Sequence, residues 1–346
     1  MHVGIIGAGA AASAAAYVLD QTTDADITIL EKSGGLCGRA ATRRRDGIVY
    51  DYGANYLKDD SERVVSLVTE TLDTEGLDTI SEPIWVFDCE GTVTPGRDTP
   101  ARRFTYDRGL TQIAKRLLDR TDATVHRRTR VEHITRTTAG WTLTDEAGTD
   151  WGPFDRLLCN PPAPQTAALL QDADWDDPRR EELADALSRV PYRTVWTAVL
   201  GYEGELDVPY YALINPDKTH ELGWIAREAC KPGHVPAGQS VLVVQANHEW
   251  STEHYEHPPE QNLDAIAALT ADVIGDDRLA TPAWTDHQGW RYALPEGSPP
   301  QGPLRRVESA GLYCLGDWVT GDARLHAALE NGLAAGERIA LSADSQ

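Results

Sequence analysis

Lysine is scarce in this chain. Lys32, Lys58, Lys115, Lys218 and Lys231 are the only five among 346 residues, and methionine occurs once. Basic residues of any kind are few, 32 Lys and Arg against 54 Asp and Glu, which leaves a formal net charge of −22. A surface of that sign repels phosphate backbones and anionic lipid headgroups, so neither nucleic acid nor a membrane surface is an expected partner. Because the basic complement is mostly arginine, the composition reads as halophilic, and stability is expected to rise in molar KCl. Cysteine is sparse too: Cys37, Cys89, Cys159, Cys230 and Cys314 are odd in number, widely spaced and form no Cys-x-x-Cys. That argues against a disulfide framework and a zinc site, and no metal is expected. The alanine-rich run Ala8–Ala16 falls short of the roughly 18 apolar residues a membrane span needs, and the first residues lack a basic leader region. A cytoplasmic protein is expected. There is no Gly-x-Ser-x-Gly nucleophile elbow either. What remains, 41% hydrophobic and 25% charged residues, suits a folded chain of one large domain or two.

The first forty residues carry the strongest motif. His2–Ile6 reads as a short apolar strand running into Gly7-Ala8-Gly9-Ala10-Ala11-Ala12 and an Ala-rich helix from Ser13 to Leu19. This is G-x-G-x-x-A in a strand–turn–helix context, the arrangement that seats a pyrophosphate on a helix N-terminus. Gly7 permits the tight turn, Gly9 lets the backbone approach the phosphates, and Ala12 lets helix and strand pack closely. A second strand, Ile27–Leu30, ends at Glu31, where an acidic residue binds an adenosine ribose. The chain then continues as Glu31-Lys32-Ser33-Gly34-Gly35-Leu36-Cys37-Gly38-Arg39.

That continuation resembles the flavin amine oxidase superfamily, in which a Gly-Gly-Arg segment follows the ribose-binding acid. The resemblance implies FAD, held noncovalently by Gly7, Gly9, Ala10, Ala11, Ala12, Glu31, Lys32, Gly38 and Arg39, with the Arg39 guanidinium near the pyrophosphate. Near the other end, Gly311–Leu315 reads as a strand, followed by Gly316-Asp317-Trp318 and a helix from about Arg324 to Leu341. This resembles the closing FAD motif: Asp317 would hold the ribityl chain beside Gly316, and the helix start at Arg324 and Leu325 would face the flavin N1/O2 edge. Three further stretches, Gly38–Arg44, Tyr50–Tyr56 and Gly289–Pro295, resemble the renalase branch. Ala40 replaces its usual Met, and Tyr52, Asn55 and Leu57 replace His, Gln and Phe, whereas Trp-Arg-Tyr-Ala-Leu-Pro matches in full. By the same resemblance Ala54 and Asn55 would lie at the flavin, and Val131 would meet the adenine through its backbone.

The fold implied is α/β, a Rossmann-type FAD-binding domain interleaved with an α+β substrate domain. The first would comprise residues 1–58, 104–163 and 291–346, and the second 59–103 and 164–290. Within the first, Gly109-Leu110 opens an amphipathic helix to Leu118, and Arg130–Ile134 pairs with Trp141–Thr144 across a turn. Within the second, Val195–Tyr202, Glu221–Ala226 and Ser240–Gln245 are strand candidates forming the floor of a substrate cavity, and Gln261–Ile274 is a helix covering it. Tyr56, Trp224, Trp290 and Tyr292 are the substrate candidates, able to hold a planar ring against the flavin. Trp290 and Tyr292 point to one side if extended. No catalytic side chain is assigned, since the flavin N5 carries the redox step. His248, His254, His257 and His287 are expected on solvated loops, and Cys314 in a buried strand.

The resemblance implies oxidation of a dihydropyridine isomer of NAD(P)H by FAD, with oxygen as the final acceptor and hydrogen peroxide as product. Alternatives are an amine oxidase or desaturase-type dehydrogenase on another small substrate, electrons then passing to oxygen or to another acceptor, and a nonenzymatic FAD-binding protein.

Overall fold

His2–Ile6 forms β1, and every residue after His2 is buried because the strand runs through the middle of a parallel sheet. The computed structural model describes residues 1–97 and 101–343, so residues 98–100 and 344–346 of the expected domains lie outside the described residues. After a short turn comes α1 (Ala10–Thr22), and β2 (Asp26–Glu31) returns beside β1 with Ile29 opposite Ile5. The helix begins three residues before the expected Ser13. Gly9 is its extended N-cap residue, and alanine, the best helix former, carries the first turns. The five-stranded sheet runs in the order Thr124–Arg127, β2, β1, Arg156–Cys159, Leu312–Cys314, all parallel, so its strands come from widely separated parts of the chain.

The alanines of α1 have a packing purpose. Residues Ala10 to Ala16 are all buried, and the C-terminal helix α2 (Leu325–Ala343) lies against them. A Cβ at Gly332 would overlap the backbone of Ala11, and one at Gly336 would press on Val18 and Ala15. Two glycines four residues apart thus seat α2 on the α1 backbone, and both helices end up with their N-termini beside the carboxyl ends of the parallel strands.

The second sheet has seven strands in the order Trp284–Pro295, Tyr192–Glu203, Gln239–Ala246, Leu222–Arg227, Ala212–Ile214, Ile84–Phe87 and Val93–Thr94. It is antiparallel except where Ala212–Ile214 lies along Ile84–Phe87. Alternate residues divide between its faces. Ala198, Leu200, Leu242 and Val244 pack under the helix Pro259–Ile274. Val199, Val241 and Val243 pack against Ile48 and Tyr50 of a hairpin made by β3 (Thr42–Arg45) and β4 (Ile48–Asp51).

Two features differ from the division expected from the sequence. Helices Ala163–Gln171 and Pro178–Ser188 pack through Ala167, Leu170, Leu183 and Leu187 onto Leu157, Cys159, Leu312 and Cys314 of the parallel sheet, not onto the antiparallel one. A parallel sheet must be covered on both faces, and on the face that α1 leaves open the same core takes in Ile134, Trp141 and Leu143 of a three-stranded antiparallel sheet (Val131–Thr137, Gly140–Asp145, Asp150–Phe154) and Leu304 and Val307 of the helix Gln301–Glu308. The strand Trp284–Pro295 also runs unbroken through the 290/291 boundary, paired with Tyr192–Glu203 as far as Pro295.

Candidate active site

The two sheets share one cavity of about 1950 Å³. A drug-sized ligand fills about 300–1000 Å³, so there is room for a dinucleotide and a second molecule. Of the candidate residues read from the sequence, all line this cavity except Ala12, which is buried under the sheet.

At one end, Glu31 is buried, and its two carboxylate oxygens accept the Ala8 and Ser33 amides at 2.7 Å each. A carboxylate has about four acceptor positions, so two remain for ribose hydroxyls. The α1 N-terminus has no side-chain cap and no acid in its first turn, which leaves its amides open to an anion. A Cβ at Gly9 would run into the Asn160 amide, so glycine is needed there for protein packing as well. Further along, Arg39 makes a bidentate ion pair with Asp317 at 2.6 and 3.0 Å and donates to the Ala293 carbonyl at 2.9 Å. Asp317 also accepts the Trp318 amide at 2.9 Å, at the head of a one-turn helix. Gly316 is held by the Asn331 side chain of α2, and Arg324 and Leu325 stand at the start of that helix.

The other end is aromatic and amide-rich. Tyr56 and Trp224 meet at 6.2 Å, each with an edge on the buried Tyr211. The Trp224 indole donates to Asn55 Oδ1 at 3.2 Å, and Asn55 and Gln245 both donate to the Gly53 carbonyl. Trp290 stacks on Tyr52 at 5.4 Å, and Tyr292 meets Tyr192 edge-on. The Arg43 guanidinium lies 4.2 Å over Tyr52 while bonding Asp286, the His287 carbonyl and Gln288. Burial pushes the Asp286 carboxyl up, but the Tyr50 hydroxyl, the His287 amide and Arg43 outweigh it and hold it below the usual range. Sequence reasoning missed Arg43, Gln245, Gln288, Asn160 and Lys218, all of which line the cavity. A glutamine inside an otherwise apolar strand was the available signal for Gln245.

Some histidines are placed differently from expectation. His287 sits in the strand Trp284–Pro295 and stacks on Trp196, and His254 is stacked on Trp250, because an imidazole ring covers an indole face well. His234 is fully buried and belongs to a cluster with Asp51, Glu228 and Lys231, all four side chains without solvent exposure. Lys231 Nζ is 3.0 Å from Asp51 and 2.8 Å from Glu228. His234 faces the Glu228 carboxylate with Nδ1 at 2.7 Å and the Tyr106 carbonyl with Nε2 at 2.9 Å. Both ring nitrogens face oxygens, and the Lys231 ammonium stands between the two carboxylates. Burial pushes the Glu228 carboxyl up, yet Lys231 and the His234 hydrogen bond hold it below the usual range. Burial likewise lowers the Lys231 ammonium, yet Asp51 and Glu228 hold it above its ordinary value. Oxygens and nitrogen of Asp51, Glu228 and His234 are close enough to ligate a metal, but the lysine ammonium already stands among them. The remaining bonds of Asp51, from Thr42 Oγ1 and the Leu110 amide, tie this cluster to the hairpin that leads into Tyr52–Asn55.

The thiols bear on cofactor attachment. Cys37 lines the cavity, and burial pushes its pKa to about 12; Cys314 is buried in its strand, as expected, and burial holds its thiol well above the ordinary value. Neither is a ready nucleophile.

Two family patterns match the chain: "NAD(P)-binding Rossmann-like domain" over residues 5–71 and "Flavin containing amine oxidoreductase" over residues 81–340. Solved structures of the same fold include a proposed protoporphyrinogen oxidase from Exiguobacterium sp. 255-15, with TM-score 0.78, 15% identity and 99% of each chain covered. Cyclohexylamine oxidase from Brevibacterium oxydans IH-35A has TM-score 0.74 and 15% identity, again with 99% of each chain covered. Reduced UDP-galactopyranose mutase has TM-score 0.76 and 12% identity, covering 98% of this chain and 95% of that one. The residues present fit the cofactor of such a family: the uncapped N-terminus of α1, the start of α2, a buried acid with free acceptor positions and an arginine–aspartate pair all border one elongated cavity.

Proposed function

Since the chain belongs to the flavin-containing amine oxidoreductases, a family of oxidoreductases with FAD as cofactor, we propose that it is a renalase-like oxidase acting on a dihydropyridine isomer of NAD(P)H. One observation carries the choice among substrates. Every lining carboxylate is paired, bonded to backbone or exposed: Asp317 pairs with Arg39, Glu296 with Arg193, Glu31 holds two amides, and Glu132, Asp172 and Glu249 are at the surface. A cationic amine entering between Tyr56, Trp224, Trp290 and Tyr292 would find no buried anion to replace its hydration. A planar carboxamide ring bearing phosphates would find aromatic faces, the Gln245 side-chain amide, and the ammonium of Lys218, which forms no ion pair among the described residues.

FAD, when bound, supplies the hydride acceptor and passes the electrons to oxygen, giving hydrogen peroxide. The residues supply position and field. Glu31 and the α1 amides would hold the adenosine ribose and pyrophosphate, and the Val131 backbone would meet the adenine. Arg39 and Asp317 fix the middle of the cofactor, while the α2 N-terminus at Arg324 and Leu325 favours negative charge at the ring's far edge by about 0.3–1 kcal/mol, more when buried. Gly53, Ala54 and Asn55 border the ring's face. We place the FAD unit in residues 1–58, 104–163 and 291–346 and the substrate unit in 59–103 and 164–290, with the two helices at 163–188 resting on the former.

The test is an anaerobic spectrum of the FAD-loaded protein mixed with borohydride-reduced NAD, which contains the minor dihydro isomers. Bleaching by that mixture but not by ordinary β-NADH, with recovery and peroxide in air, is the expected result. A flavin untouched by the mixture but bleached by a primary amine would replace this reading with the amine oxidase one. Acid precipitation should release the yellow chromophore completely, as the protonated state of Cys37 requires; colour retained in the pellet would contradict noncovalent binding.

A further inference from the structure

The cavity is a cationic enclave in an acidic protein. Twelve Lys or Arg residues line it against six Asp or Glu, although acids outnumber bases in the whole chain by 22. Four of the five lysines are among the lining residues, and the fifth is the buried Lys231. Arg39, Arg43, Lys58, Arg193 and Arg291 have carboxylate partners. Those at the outer end, past Glu31, do not.

That outer end is built from four elements. Lys32 follows β2, Arg44 is on β3, Lys115 is on the helix Thr111–Leu118, and Arg127 and Arg130 flank the turn after the strand Thr124–Arg127. The turn is pinned to the Gly-rich loop, with the Thr129 amide on the Glu31 carbonyl and the Arg128 amide on the Ser33 carbonyl. Among the described residues the Arg44 side chain bonds only the Arg108 carbonyl, and Lys32, Arg44, Lys115, Arg127 and Arg130 form no ion pair. Glu132, two residues beyond Arg130, is exposed at the rim, and Asp119 lies one turn after Lys115. Burial lowers the Lys115 ammonium, and Arg44, Arg127 and Arg108 lower it further against the single opposing effect of Asp119. Like charges gathered without partners cost stability, and this chain has carboxylates in surplus with which to pair them. Leaving them unpaired suits an anion that comes and goes.

We infer that Lys32, Arg44, Lys115, Arg127 and Arg130 form a phosphate-binding subsite at the outer end of the cavity, separate from the cradle of the FAD pyrophosphate. An FAD pyrophosphate seated on the Gly7–Ala12 turn after β1 would be two strands away from Thr124–Arg127, with only the adenosine end near Lys32 and Val131. The ligand is therefore the phosphate or pyrophosphate group of a second small molecule, and planar guanidinium groups suit its oxygens. The inference does not depend on which substrate is oxidised at the other end.

The test uses FAD-loaded protein and inorganic pyrophosphate, followed by calorimetry and phosphorus NMR, with flavin release monitored by filtration. Saturable binding with the flavin retained is expected, weakened about tenfold or more in K115Q/R127Q, a loss of about 1.4 kcal/mol or more. Should that variant fold poorly, R44Q/R130Q, at two exposed positions, must give the same loss. Non-saturating uptake, undiminished binding in the folded variants, or binding that expels FAD in proportion would each overturn the subsite.

Discussion

Replacing Lys231 by methionine should destabilise the folded protein by about 3–5 kcal/mol, the usual cost of breaking a buried ion pair from one side. The variant leaves Asp51 and Glu228 facing each other without solvent exposure and without the ammonium between them. That is a large part of the roughly 5–15 kcal/mol that holds a typical domain together. R305M, at an exposed position on the helix Gln301–Glu308, serves as the control and should stay within about 0.5 kcal/mol of the parent. Denaturant midpoints with unchanged slope would measure both. The pH dependence has a definite sign. Glu228 is held below its ordinary pKa, so its contribution is complete above the ordinary carboxylate range and disappears as pH falls through the lowered value. Lys231 is held above its ordinary pKa, so its contribution is complete below that value and disappears as pH rises through the raised one. K231M should therefore remove the alkaline arm. A variant as stable as the parent at neutral pH would mean that the cluster is held by its surroundings and not by its charges.

The second large effect is expected at Gly332. G332V places a branched side chain where even a Cβ overlaps the Ala11 backbone, and backbone cannot rotate away as a side chain can. Overpacking usually costs about 1–3 kcal/mol, and this site belongs at or above the upper end. Moving α2 off α1 displaces both helix N-termini that border the cavity, so FAD affinity should fall by at least about tenfold, or 1.4 kcal/mol. Thermal unfolding and flavin retention on dialysis measure the two effects. A substitution at Gly35, where a Cβ meets nothing within 4 Å, should leave the fold unchanged. If G332V keeps both stability and flavin, the helix contact does not set the cofactor cradle.

What could be read in the sequence was local. Gly7 to Ala12 and Glu31 are one strand–turn–helix–strand unit, so spacing alone places them at strand ends, and the Gly316-Asp317 turn follows its strand in the same way. The cluster of Lys231 was out of reach: its partner Asp51 is 180 residues away, and a charged residue is by default assigned to the surface. The same default put the histidines on loops, although stacking on Trp196 and Trp250 decides where two of them sit. Short strands such as Ala212–Ile214 and Val93–Thr94 carry too few residues for a period to register, and only their neighbours make them strands. The amides around the aromatic set needed the sheet register, which brings Gln245 opposite Thr197 and Gln288 beside the same residue.

The order of the parallel sheet also fixes an order of events during synthesis. The strand Leu312–Cys314 and the start of α2 at Leu325 are made some 310 residues after β1. At about 5–20 residues per second a ribosome needs roughly 15–60 s to cover that interval. Throughout it the alanine face of α1 lacks its cover, and from the moment Arg156–Cys159 emerges that strand is an unpaired apolar edge. The complete cofactor cradle exists only once Leu312–Cys314 and α2 have joined the segments made long before them.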